Sequence, residues 1–132
     1  MEPNVEIIFC DGFQNPSVPN NPPSISNPLT SLKPYAIPGN YSFAVYCSIE
    51  KIPAANKNIS FEIGEVDGNV FLPKTQIPMQ AINSSGEFAT INLGIDLRNV
   101  VVSKEGDVYV KIRMDDTVIG EKKIGVSQLL QR

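Results

Sequence analysis

Few residues in this chain are able to carry catalysis. Histidine is absent from all 132 positions, which removes the Ser-His-Asp and Cys-His designs and every histidine-containing zinc site. Cys10 and Cys47 are the only thiols, too few to close a metal site by themselves. Asp11, Glu62, Asp96, Asp115 and Asp116 could furnish the carboxylate pair of a glycosidase, but no spacing sets two of them at the required separation. They read as solvated carboxylates of turns and outer faces. Asp67-Gly68-Asn69 and Asp115-Asp116-Thr117 are too short to provide the six or more oxygens of a calcium site, and read as hairpin turns. The glycines are dispersed and none opens a helix, so no phosphate loop is formed. No enzymatic activity, cofactor or metal is expected.

The elements that would position any site are strands. Ile59, Phe61 and Ile63 alternate with Ser60, Glu62 and Gly64. Ala89, Ile91, Leu93, Ile95 and Leu97 alternate with Thr90, Asn92, Gly94, Asp96 and Arg98, and Val108, Val110, Ile112 and Met114 with Tyr109, Lys111, Arg113 and Asp115. This period of two places one apolar and one polar face on each strand, the pattern of antiparallel sheets wetted on one side. Residues 5 to 13 and 41 to 52 are apolar on both faces over part of their length and belong at the centre of a sheet. Both cysteines fall in such runs and read as buried, reduced, small hydrophobes.

Turn chemistry separates the runs at the short intervals of a sandwich or barrel. Pro38-Gly39-Asn40 precedes one strand, and Ser85-Gly86 and Glu105-Gly106 introduce two more. Asp67-Gly68 lies between Ile63 and Phe71, and Asp115-Asp116 turns a final hairpin that returns to Val126. Residues 15 to 28 hold five prolines among Asn and Ser and are expected to form a long surface loop, not a strand. The fold expected is all-β: one domain over residues 1 to 132, an antiparallel two-sheet sandwich of about seven or eight strands.

Size and charge narrow the function classes. A chain of this length buries roughly two-thirds of its unfolded surface and sustains one ordinary core. The net charge of -3 comes with scattered Lys and Arg, leaving no basic stripe for a phosphate backbone, so nucleic acid is not an expected partner. No apolar run approaches the roughly 20 residues of a membrane span. The start, Met1-Glu2-Pro3-Asn4, has no basic n-region of a secretion signal, so the expected compartment is the cytoplasm. Asn40-Tyr41-Ser42, Asn58-Ile59-Ser60 and Asn83-Ser84-Ser85 then match the glycosylation pattern by chance.

Two surface features read as binding leads. Tyr109, Lys111 and Arg113 share the polar side of one strand, with Tyr46 expected to project similarly from an earlier one, and Tyr and Arg are enriched at interface hot spots. In the proline-rich segment, Pro19-Asn20-Asn21-Pro22 has the PxxP form read by aromatic grooves, without an adjacent Arg or Lys.

The opening Ile7-Ile8-Phe9-Cys10-Asp11-Gly12, the middle Gly39-Asn40-Tyr41-Ser42-Phe43-Ala44-Val45 and the closing Glu105-Gly106-Asp107-Val108-Tyr109-Val110-Lys111 through Gly125-Val126 resemble small uncharacterised bacterial and phage proteins with an immunoglobulin-like sandwich. The resemblance spans most of the chain and implies no catalytic residues. The function expected is that of a non-enzymatic interaction module, of bacterial or phage origin, whose partner is a host factor or a second copy. A small-ligand or carbohydrate-binding domain and a small virion component are the alternatives.

Overall fold

A computed structural model of the chain describes residues 3–14, 24–53, 58–77, 82–85 and 88–129. The described residues form strands joined by turns and contain no helix. In chain order the strands are β1 (Asn4–Gln14), β2 (Ser24–Pro28), β3 (Ser31–Leu32), β4 (Gly39–Pro53), β5 (Ile59–Glu65), β6 (Val70–Gln76), β7 (Ile82–Ser85), β8 (Phe88–Val102), β9 (Gly106–Met114) and β10 (Thr117–Val126). They make two five-stranded sheets. Sheet A has the order β2-β1-β4-β8-β7 and sheet B the order β3-β10-β9-β5-β6. Every pairing is antiparallel except the short parallel one of β3 with β10.

The alternation read from the sequence decides which side chains lie between the sheets. Phe9 of β1, Phe43, Val45 and Ile49 of β4 and Ile91 of β8 meet Ile59 and Ile63 of β5 and Val108, Val110 and Ile112 of β9 in one buried cluster. Burial of side chains of this size contributes about 1.5–3 kcal/mol each. The expected hairpin turns form at Asp67 and at Asp115-Asp116. The latter pair has φ of 51° and 68°, the two positive values of a type I′ turn. β4 is central in its sheet, as its two apolar faces imply.

Two expectations are corrected. Residues 24 to 28, assigned to the loop, form the edge strand β2, which pairs with β1 from Cys10↔Pro28 to Gln14↔Ser24. An edge strand tolerates proline, and Pro28 sits at its end; residues 15 to 23, with the other four prolines, lie outside the described residues. The strands also number more than eight, because the short β3 and β7 leave too little sequence for alternation to register.

One side of the sandwich is sealed where β1 approaches β10. Gly120 stands so near that a Cβ there would lie 2.5 Å from Val5 Cγ1, which explains the glycine. The Lys122 ammonium donates to the Ile7 carbonyl at 2.9 Å. A bare edge carbonyl and an edge lysine thereby answer each other, a protection against edge-to-edge pairing.

Candidate functional site

The outer face of sheet B collects the charged side chains expected there. On β9, Tyr109, Lys111 and Arg113 alternate with the core residues Val108, Val110 and Ile112. The register sets Lys111 between Glu62 of β5 and Glu121 of β10, and Tyr109 between Gly64 and Lys123. Glu62 accepts a hydrogen bond from Tyr109 Oη at 2.6 Å and one from Arg113 Nη1 at 2.8 Å. Lys111 Nζ stands 5.0 Å over the Tyr109 ring centroid, within cation–π range, and 4.0 Å from Glu121.

This wiring tunes the groups. The hydrogen bonds from Tyr109 and then Arg113 hold Glu62 below its ordinary value against the opposing effect of burial. Burial, and then the Glu62 carboxylate, push the Tyr109 hydroxyl up to about 12. Tyr109 is 9% exposed, its hydroxyl taken by Glu62 and its ring lying under Lys111. It therefore positions its charged neighbours more than it offers its own surface.

Beside Tyr109 lies a shallow groove of ≈ 400 Å³, lined in part by Asp67, Gly68, Val70, Lys111, Glu121 and Lys123. Val70 is 52% exposed, and Val118, opposite Arg113, is 46% exposed. The groove's end is fixed by Glu65, which is 4% exposed. Its carboxylate accepts Asn69 N–H at 2.9 Å, Ser103 N–H at 3.0 Å, Ser103 Oγ–H at 2.7 Å and Lys104 N–H at 3.4 Å. Burial raises its pKa most strongly of any single influence, but these four donors together outweigh it and the net displacement is downward. One carboxylate thus ties the β5–β6 turn to the β8–β9 turn. Reading the sequence missed Glu65, yet a signal existed: it continues the inward parity of Ile59, Phe61 and Ile63.

The remaining leads separate. Tyr46 does not join Tyr109, Lys111 and Arg113, because it belongs to β4 of the other sheet. There it is 8% exposed and donates its hydroxyl to Asn92 Oδ1 at 2.9 Å, so the expected projection is corrected to a covered, satisfied tyrosine. Pro19 and Pro22 lie outside the described residues. Among the described residues no three His, Cys, Asp or Glu side chains are placed to hold a metal ion, and no helix is long and apolar enough to cross a membrane. Cys10 and Cys47 are buried free thiols, and burial pushes Cys47 up to about 12. What this arrangement offers chemically is a set of fixed charges beside exposed valines.

A family model matches residues 6–127, which takes in both sheets and the whole of the sheet B face. The chain belongs to DUF6941, a family of unknown function. No curated protein matches the sequence. The DUF6941 match covers β2 as well as the charged strands β5, β9 and β10, so the edge strand and the sheet B face both fall within the matched region.

Proposed function

We propose that this chain is a non-enzymatic interaction module that presents the outer face of sheet B to a protein partner. The observation that carries the reading is the preorganised set on that face: Arg113 and Tyr109 clamped by Glu62, and Lys111 held between the Tyr109 ring and Glu121. Charged side chains already fixed in place lose less conformational freedom on association, which favours specific binding. Val70 and Val118 flank them with exposed apolar surface. A carbohydrate reading gains less support, since among the described residues Tyr109 is the only aromatic side chain lining the groove and Lys111 covers its ring.

The strand order supports an immunoglobulin-like assignment. β1-β4-β8-β7 follows the A-B-E-D succession of such domains, and β10-β9-β5 the G-F-C succession. The Asn- and Ile-rich composition favours a bacterial or phage source, and a cytoplasmic host factor or a second copy as the partner.

The test is site-specific photocrosslinking in cells from positions 123 and 70, with position 51 of sheet A as control, followed by binding of the identified partner in purified form. Crosslinks are expected from positions 123 and 70, and the Lys111→Glu, Lys123→Glu double variant should weaken binding by about tenfold or more, as fixed interfacial charges do. Lys51→Glu should leave it unchanged. Crosslinks from position 51 alone, or unaltered affinity of the double variant, overturn the reading.

A further inference from the structure

The outer face of sheet A holds an apolar strip that an inter-sheet core does not explain. Ile7 and Phe9 point between the sheets, so Ile8 and Cys10 point the other way. Ile8 lies across from Tyr46 and Tyr46 from Gly94, while Cys10 lies across from Ala44. Cys10 and Ala44 are both fully buried and Tyr46 nearly so, yet none of the three belongs to the cluster between the sheets. Something covers this outer face.

The far half of β1 reaches onto this side. A Cβ on Gly94 would stand 2.5 Å from the ring of Phe13, so the ring rests on Gly94 itself. Leu93 and Ile95 turn inward to the core, which puts that contact on the outer side. Since β4 separates β1 from β8 in the sheet, a Phe13 that reaches Gly94 has carried β1 across β4. Only a glycine permits so close a seat.

We infer that Asp11–Gln14 of β1 and Ser24–Pro28 of β2 form a strap that opens independently of the sandwich and uncovers the Ile8, Cys10, Ala44 and Tyr46 strip, Cys10 being the last residue of β1 still paired with β4. Among the described residues the attachments that hold the strap down are few. β2 pairs with β1 and with no other described strand, and four of its five residues are exposed. Its ties are Phe13 on Gly94, the Leu29 N–H to Phe9 carbonyl bond at 2.7 Å, and Asn27 Nδ2 to Asp11 at 2.9 Å within the hairpin. A Cβ on Gly12 would meet nothing within 4 Å, so that segment is unpacked on one side. Segments with few buried contacts and exposed ladders open at lower free energy than the whole domain. β4 and β8, in contrast, pair along most of their length and carry the core.

The two thiols report on this directly, since Cys10 lies under the strap and Cys47 in the core between the sheets. The experiment is alkylation of the folded chain by N-ethylmaleimide in two single-cysteine forms, Cys47→Ser and Cys10→Ser, each rate normalised to that of the unfolded chain. Cys10 should be alkylated about tenfold or more faster than Cys47. Phe13→Ala should speed Cys10 by about another tenfold while leaving the Cys47 rate and the thermal midpoint nearly unchanged. Gly94→Ala, which displaces the ring from the opposite side, should act in the same direction. Equal protection of the two thiols overturns the inference, because both would then open only with the whole fold. So does a Phe13→Ala variant that accelerates both in parallel, or neither.

Discussion

The outer faces of the two sheets differ in how they meet water. Sheet B faces outward with a row of alternating charge, Glu121, Lys111 and Glu62, held by cross-strand bonds and left open. Sheet A faces outward with Ile8, Cys10, Ala44 and Tyr46, small or apolar groups, and Phe13 of its own first strand rests on Gly94 across from Tyr46. A polar face can remain wet because its groups are satisfied by one another and by solvent, whereas an apolar face must find a cover. The same rule leaves the face of one sheet open to solvent and brings a side chain of the protein itself onto the other.

Substitutions on the inner and outer sides of the sheets separate by the size of their effects. The inner side, common to both sheets, sets the largest scale: Phe61 is buried against the core, and Phe61→Ala should destabilise by about 3 to 5 kcal/mol in a denaturant titration. A midpoint that hardly moves would mean that the parity of β5, and with it the outward placement of Glu62, is inverted. Next comes Glu65→Ala, which removes the shared carboxylate acceptor of Asn69, Ser103 and Lys104; these residues are themselves exposed and can turn to water, so the loss should be about 2 kcal/mol, that of charge-assisted bonds. A loss much smaller than that would show that the groove's end is not fixed by the carboxylate.

Acid should act on sheet B through the same groups. Glu62 and Glu65 both titrate below their ordinary value of 4.5 in the folded chain. The folded form therefore binds fewer protons than the unfolded one in that range, and their contribution is present above pH 4.5 and lost as the pH falls through the depressed values. Melting profiles should show this loss, and Glu62→Gln combined with Glu65→Gln should flatten it. A double variant with an unchanged acid limb would place the responsible carboxylates elsewhere.

Smaller still, Arg113→Ala should cost about 1 kcal/mol, because Glu62 keeps its bond from Tyr109. A cycle with Glu62→Gln measures the coupling, and additivity of the two would dissolve the clamp on which the sheet B face depends. At the bottom of the scale, the exposed Lys74–Asp116 pair is a surface ion pair whose removal by Lys74→Ala should not shift the thermal midpoint measurably.

The core was legible in the sequence because alternation is a local property. Ile59, Phe61, Ile63, Val108, Val110 and Ile112 each declare their side by their neighbours, and the charged face of β9 follows as the complement. Tyr46 was misplaced because its even position in β4 reads as outward, which it is, while its sheet and its cover depend on distant partners. Phe13 and Gly94 lie 81 positions apart in number, and only the curl of β1 across β4 brings them together. Glu65 broke an apolar parity, but its four donors come from two turns that the sequence does not show to be adjacent. β2 escaped notice because proline density outweighs the alternation of Ser24, Ile25 and Ser26 in any local window.

Lysine acetylation of the folded chain with and without its crosslinked partner in purified form, mapped by mass spectrometry, decides whether sheet B is the open face and sheet A the closed one. Lys111 and Lys123 are expected to lose reactivity when the partner is bound, while Lys51 of β4, exposed on sheet A, keeps its own. Protection of Lys51 with Lys111 and Lys123 unaffected would place the partner on sheet A instead.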